Sequence, residues 1–441
     1  MPEADKAPAL RAGLVVVGAG PAGIAAALAA ARDGVDTVLL DGAPVAGGQV
    51  WRARQGVAAE PVAQALARLA QAGVRVLAGT RVVMPLPDRL LLIDGPEGAR
   101  HLLWARLVVA TGARERLLPF PGWTLPGVFG AGGLQALVKG GWPIAGRRVL
   151  VAGSGPLFLA AAATLRGEGA HLAGLADEAG PTAQARFGAT LVAHPAKTVQ
   201  ALRLAASLAG VPWWPGWRVV AAEGDGRVER VLLARGDRKR TIACDALAAG
   251  WGLVPQVELG QALGCASGAR HGAEALLVDA WQKTAVPGVF AAGECTGIGG
   301  ARAAALQGEI AGHQVAAELV SAPPPPRALS RALARERHFA AGVARTFPMP
   351  DRWHQRLRDD TLVCRCEDVP WSALRDQPDL RSAKLATRCG MGHCQGRLCH
   401  DTLSTVMAWP RLPARPPLTP APLSSLLASD HPHPSTEETK A

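Results

Sequence analysis

An uncharged run, residues 12–31, carries Gly18, Gly20 and Gly23 in the order G-x-G-x-x-G, and this spacing leaves the chain few folds to choose from. Leu14–Val17 reads as a short buried strand, Gly18–Gly23 as a tight turn, Ile24–Arg32 as a helix and Thr37–Leu40 as a second strand. Together they predict a parallel βαβ unit. Gly18 permits the turn, Gly20 lets the backbone approach a pyrophosphate, and Gly23 lets the helix lie close on the strand. With Pro21 they form the candidate phosphate-binding turn, where a helix N-terminus offers free N–H groups and partial positive charge. Asp41 ends the second strand, 18 residues after Gly23, where a carboxylate accepts from ribose hydroxyls. By hydropathy alone the same run resembles a signal peptide or a membrane span. Gly and Pro at its centre favour strand–turn–helix, so no targeting or transmembrane segment is expected. The chain is read as cytoplasmic, any membrane association being through partners.

A similar unit begins at Arg148: strand Val149–Ala152, turn Gly153–Gly155, helix from about Leu157 to Arg166, strand His171–Leu175. The two turns lie about 135 residues apart, and 441 residues are ample for two such domains. The fold class is therefore α/β, with two dinucleotide-binding, Rossmann-like domains. The second turn is damaged, because Phe158 stands where the third small residue belongs. Asp177 and Glu178 remain available to a ribose, but no arginine cluster follows to take a 2′-phosphate. NAD(P), another adenine nucleotide and a purely structural role stay open for this domain. In the first domain two further turns point to FAD, which crosses more of a domain than NAD does. One is Thr111-Gly112, closing a strand; the other is Gly293-Glu294, ahead of Gly297–Gly300. Together with the first turn they resemble the flavoproteins with two dinucleotide-binding domains, in which the acid of the late motif contacts the ribityl and pyrophosphate region. Glu294 stands where Asp is more usual, one methylene longer.

Several activities are excluded. The chain has no Tyr, so no phenolic acid or nucleophile. Its net charge of +11 is diffuse, and no basic block with interleaved aromatics supports nucleic-acid binding. Disulfide-reductase chemistry needs a cysteine pair facing the flavin, yet the first 243 residues hold no Cys. Cys244, Cys265 and Cys295 are scattered and suit small buried apolar positions, with Cys295 nearest the expected flavin. No His/Asp pair forms a recognisable dyad, and no catalytic residue is assigned.

The other five cysteines, Cys364, Cys366, Cys389, Cys394 and Cys399, crowd into one short stretch. A secreted disulfide scaffold would spread them; crowding indicates a metal or cluster module. Four thiolates suffice for a [2Fe-2S] cluster and also for tetrahedral zinc, although C-x-C is not the usual zinc-knuckle spacing. Before the module, Pro323–Pro326 and an Arg-rich helical stretch to about His338 read as a linker. After it, the Pro- and Ser-rich end reads as a wrapping or mobile tail.

Cys364-x-Cys366 with Thr387-Arg388-Cys389-Gly390-Met391-Gly392-x-Cys394-Gln395-Gly396-Arg397-x-Cys399 resembles the bacterioferritin-associated-ferredoxin-like [2Fe-2S] domain. Placed behind two dinucleotide-binding domains, it resembles the FAD-containing alpha-type subunits of multimeric amine and imino-acid dehydrogenases, the group of opine oxidase, hydrogen cyanide synthase and proline or hydroxyproline dehydrogenase. The resemblance covers roughly residues 12–425 and includes Gly47-Gly48-Gln49 and Gly250-Trp251-Gly252-Leu253-Val254-Pro255. It implies a pyridine nucleotide-disulfide oxidoreductase type of fold with a small [2Fe-2S] domain. The implied boundaries are 1–117 with 246–325 for FAD, 118–245 for the second domain, 326–359 for the linker, 360–412 for the cluster and 413–441 for the tail. It places Gly48 and Gln49 near the isoalloxazine. It also implies Cys364, Cys366, Cys394 and Cys399 as ligands, with Cys389 spare, because a related domain lacks a cysteine there. The implied function is electron transfer within a hetero-oligomer whose flavin-bearing beta subunit, of the amine-oxidase type, oxidises a secondary amine or imino acid. The electron acceptor is left unassigned. The alternatives are a self-sufficient NAD(P)H-dependent reductase and a zinc-bearing scaffold.

Overall fold

Each glycine turn follows an interior strand of its own sheet in the computed structural model, which describes residues 9–52, 54, 60–350 and 352–428. The first sheet runs in the order Arg75–Ala78, Thr37–Asp41, Leu10–Val17, Gly98–Val109, Leu90–Gly95, Arg81–Leu86, and Val289–Ala291 pairs with the end of Gly98–Val109. The strands that flank the glycine turn are parallel, and Arg81–Leu86 with Leu90–Gly95 form an antiparallel extension. Leu14, Val15 and Val16 are fully buried. That accounts for a continuous apolar run rather than alternation, since helices cover a parallel sheet on both faces.

The helix Pro21–Arg32 is crossed by the long helix Ala301–Val320 at backbone contact. A Cβ at Gly308 would sit 1.9 Å from the Ala22 carbonyl oxygen, and one at Gly312 2.3 Å from that of Ala26. Small residues one turn apart therefore fix this crossing, which carries Gly293 and Glu294 to the first glycine turn.

The second sheet runs Trp213–Pro215, His171–Asp177, Arg148–Gly153, Ala246–Gly250, Val128–Gly130. Its strand Ala246–Gly250 is parallel to Arg148–Gly153 and lies beyond the boundary expected after residue 245. Ala-Leu-Ala-Ala-Gly is apolar throughout and holds no local signal for which sheet it joins. Phe158 is buried in this domain's core at 1% exposure.

The expected linker is a packed element. Helix Arg327–Thr346 lies against Pro181–Val192, with Gly342 meeting the Thr190 methyl, and Lys197 pairs with Glu336 at 3.2 Å. Beyond it Trp353 is buried, donates from Nε1 to the Pro119 carbonyl at 2.7 Å, and meets the Trp251 ring edge-on at 5.0 Å. The cysteine module has its own small core around Val363, Trp371, Leu374, Leu380 and Leu403. It docks on the segment joining the two sheets. Trp123 Nε1 donates to the Leu362 carbonyl at 2.6 Å, and the Thr402 hydroxyl donates to the Leu117 carbonyl at 2.9 Å. The tail wraps back onto the first domain: Leu418 N–H donates to the Val83 carbonyl at 2.6 Å, and the Ser425 hydroxyl donates to Asp94 at 2.8 Å. Residues 429–441 of the expected tail lie outside the described residues. Among the described residues no helix is long and apolar enough to cross a membrane.

Trp353 ties the linker to both neighbours, so Trp353→Ala should lower stability by about 3–5 kcal/mol. Denaturant unfolding of the full chain checks this, and an unchanged midpoint would show that the linker merely rests on the surface.

Candidate functional site

The three glycines of the first turn do different work. A Cβ at Gly18 would lie 2.4 Å from the Ala110 carbonyl oxygen, and one at Gly23 only 1.8 Å from that of Gly18. Both positions are closed to any side chain by the protein itself. Gly20 differs: its φ of −81° suits any residue, and the nearest atom to an added Cβ is the Gly48 Cα at 4.0 Å. Nothing within the protein requires glycine there, so the bare backbone is left for a ligand at the helix N-terminus. Gly112 also has nothing within 4 Å of an added Cβ, but its φ of +73° favours glycine by itself. This cradle fits a dinucleotide pyrophosphate.

A cavity of about 730 Å³ opens beside the turn. Of the residues expected from sequence, Gly18, Asp41, Gly48, Gln49 and Thr111 line it; Gly20, Pro21, Gly23, Gly112, Gly293 and Glu294 stand outside that lining. Asp41 accepts from the Ala19 N–H at 3.0 Å and the Ala43 N–H at 2.8 Å, which orients both oxygens. Burial raises its pKa, and those two bonds oppose the rise. Gly47 N–H donates to the Ala19 carbonyl at 2.9 Å, so the Gly47-Gly48-Gln49 segment is tied to the glycine turn. Glu294 accepts from the Gly300 N–H at 3.2 Å, just ahead of the long helix; burial raises its pKa and that bond opposes the rise. Sequence reasoning missed Arg52, Arg81, Arg397 and Leu418, which also line the cavity. All four come from segments outside the first βαβ unit; no motif marks Arg52, Arg81 or Leu418, and the cysteine motif that contains Arg397 carries no signal for a place beside this cavity.

The second turn is filled. The position above Gly155 is met by Phe347, whose Cβ lies 3.8 Å from where a Gly155 Cβ would be, and Phe347 packs edge-on against Phe187. Glu178 accepts from Trp251 Nε1 at 2.9 Å and from the Arg356 guanidinium. Asp177 accepts from the Ala179 N–H at 2.9 Å and from the Gln184 amide. Both acids that sequence left to a ribose are thus engaged within the protein. Burial pushes the Asp177 carboxyl up to about 7.

In the cysteine module the Sγ atoms of Cys364, Cys389 and Cys399 lie within 4.8 Å of one another, all buried. Cys389, which the resemblance leaves out of the ligand set, stands inside this trio. The thiols of Cys389 and Cys399 donate to Cys364, whose pKa is thereby lowered while theirs rise. Cys366 and Cys394 form a second group through a side-chain and a backbone hydrogen bond. They come close because Gly392 has no side chain: a Cβ there would lie 2.3 Å from the Cys366 Cβ. A buried group beside an outer pair is compatible with a small iron–sulfur site. Cys295 is different. Its thiol is pushed up to about 12 by burial, so it is an inert core residue.

A parallel sheet ending in a glycine cradle, an oriented acid and a cavity of this size define a dinucleotide-binding oxidoreductase fold of the FAD-binding kind. The chain belongs to the pyridine nucleotide-disulphide oxidoreductase family, whose profile matches residues 12–318. Among individual proteins it is similar to the HcnB subunit of hydrogen cyanide synthase from Pseudomonas aeruginosa, at 34% identity over 87% of this chain and 90% of that one. It is also similar to the A-type subunit of opine oxidase from Rhizobium meliloti, at 33% identity over 93% of this chain and 97% of that one. L-proline dehydrogenase from P. horikoshii shares its fold with a TM-score of 0.69 at 20% identity, covering 96% of this chain and 81% of that one. The family match ends before the cysteine module.

Two outcomes follow from the geometry. Gly23→Ala should destabilise the first domain strongly, because its Cβ meets a carbonyl, whereas Gly20→Ala should change stability by less than about 1 kcal/mol while weakening FAD retention. Unfolding curves and flavin content of the purified variants check this; equal behaviour of the two would refute the assignment of Gly20 to a ligand. For Asp177, the folded carboxyl holds its proton to about pH 7 while the unfolded one releases it near 3.8. Its contribution therefore turns unfavourable as pH rises through that window and stays so above it. Asp177→Asn should flatten that part of the stability–pH curve, measured by thermal unfolding from pH 4 to 8.

Proposed function

We propose that this chain is the FAD- and [2Fe-2S]-bearing electron-transferring subunit of a multimeric dehydrogenase for a secondary amine or imino acid of the opine, proline, hydroxyproline or glycine type. One observation carries the reading: the wall of the cofactor cavity includes Arg397, which lies between Cys394 and Cys399 of the cysteine module. A flavin there and a cluster in the module would be neighbours, and together they convert a two-electron carrier to a one-electron carrier.

The chain's own residues divide the task. Gly18, Gly20, Pro21 and Gly23 receive the pyrophosphate, Asp41 the ribose, and Gly48, Gln49, Thr111 and Gly112 border the flavin half, with Gly293 and Glu294 behind it. Cys364, Cys366, Cys394 and Cys399 hold the iron, Cys364 with Cys399 on the buried side and Cys366 with Cys394 on the outer side. Cys389 is the fifth thiol, lodged against the buried pair. No residue here is assigned to amine chemistry, which belongs to a flavin-bearing partner subunit; the relatives from hydrogen cyanide synthase and opine oxidase are themselves subunits by name. The second domain serves as scaffold, because Phe347, Arg356 and Trp251 occupy the turn and acids that a nicotinamide nucleotide would need.

Anaerobically purified chain should contain one flavin and two irons, and show an EPR signal on reduction. Dye reduction by amines should require the partner subunit, and NADH should leave the flavin oxidised on the millisecond scale. Amine turnover by the isolated chain, or rapid bleaching by NADH, would overturn the division of labour. A colourless, zinc-containing preparation would overturn the redox reading itself.

A further inference from the structure

The cofactor cavity is not closed by the nucleotide-binding domain alone. Its far wall is Arg397 from the cysteine module and Leu418 from the tail. Arg397 is held from both sides. Its carbonyl accepts from Arg114 Nε at 2.9 Å, and its guanidinium donates to the Leu418 carbonyl, whose own N–H reaches Val83 of the first sheet. Among the described residues Arg397 makes no ion pair, although it is half-buried. Neither acid lining the cavity pairs with these arginines among the described residues: Glu258 pairs with Arg114 at 2.7 Å, and Asp41 is oriented by two backbone N–H groups. Arg52 and Arg81 line the same cavity, also without acidic partners among the described residues. A half-buried cation with no counter-ion is costly, and Arg397, joined at the cavity by the more exposed guanidinium groups of Arg52 and Arg81, suits a ligand carrying several negative charges.

We propose that Arg397 is a binding residue for the cofactor of the first domain, contacting its anionic part across the domain boundary, so that docking of the cysteine module and loading of that cofactor are thermodynamically linked. This rests on the reading of the cavity as a flavin dinucleotide site. Binding linkage is reciprocal. If the module supplies a cation that stabilises bound FAD, bound FAD must stabilise the docked module by the same factor. The Leu418 carbonyl and the Arg114 bond keep the guanidinium in place before the ligand arrives, which lowers the ordering cost of binding.

The test uses full-length chain stripped of flavin, with FAD itself as the probe, and reads the dissociation constant by quenching of flavin fluorescence. Arg397→Met keeps the apolar stem and removes the charge; Arg397→Lys keeps the charge. Loss of a charge-assisted contact should weaken FAD binding at least about tenfold in Arg397→Met, with Arg397→Lys recovering most of it. Iron content and the EPR signal, unchanged in both variants, would show that the module still folds. Wild-type affinity in Arg397→Met overturns the proposal. If Arg397→Met loses iron as well, Arg397→Lys decides: recovery of FAD affinity supports the proposal, and failure overturns it. Failure of the wild-type chain to bind FAD at all is a separate result, which sinks the flavin reading and with it this one.

Discussion

One buried carboxylate holds the parts of this molecule in register. Asp401, two residues after Cys399, is 5% exposed and lies between Arg116, at 3.6 Å, and Arg411, whose guanidinium it also binds. Arg116 belongs to the segment between the two sheets, Arg411 lies just before the tail, and Asp401 is on the module's last helix. Burial lowers the pKa of both arginines, so their charges are maintained against a desolvation cost that Asp401 offsets. Removing one member of such a cluster typically costs about 3–5 kcal/mol, because the charge left behind stays buried. The cluster thus joins the module's last helix both to the segment between the sheets and to the chain that follows it.

The two glycine turns show how the same local unit comes to opposite ends. Both have a strand, a glycine turn, a helix starting with proline, and an acid at the end of the next strand. At the first, Gly20 faces open space and Asp41 is only oriented, not spent. At the second, Phe347 lies over Gly155, and Glu178 is shared by Trp251 and Arg356. Phe347 and Arg356 arrive from nearly two hundred residues downstream, after a helix that packs on the second domain. The side chains over the second turn and on Glu178 come in part from the expected linker, through Phe347 and Arg356.

Cysteine chemistry divides in the same way. Cys295 sits in the first core, where nothing stabilises a thiolate, and burial keeps its proton in place. Cys364 is equally hidden, yet two neighbouring thiols donate to it and favour its charged form. Identity and burial are the same in the two cases; hydrogen-bond supply differs, and the second arrangement is the one compatible with a metal site.

Much of the fold was legible because it is written in local patterns. Glycine spacing, apolar runs and the repeat about 135 residues apart define two parallel βαβ units from steric rules that need no distant partner. Cysteine crowding marks a module on the same footing. The tertiary structure decided what those patterns could not carry. It assigned Ala246–Gly250 to the second sheet, turned a proline-led linker into a packed helix, and closed the second turn with Phe347. It also brought Arg397 and Leu418 to the first cavity. Each of these depends on contacts between segments far apart in the chain, which no local pattern encodes, the cysteine motif around Arg397 included. A glycine can declare from sequence that space is needed beside it; what fills that space is determined only by what the folded chain brings there.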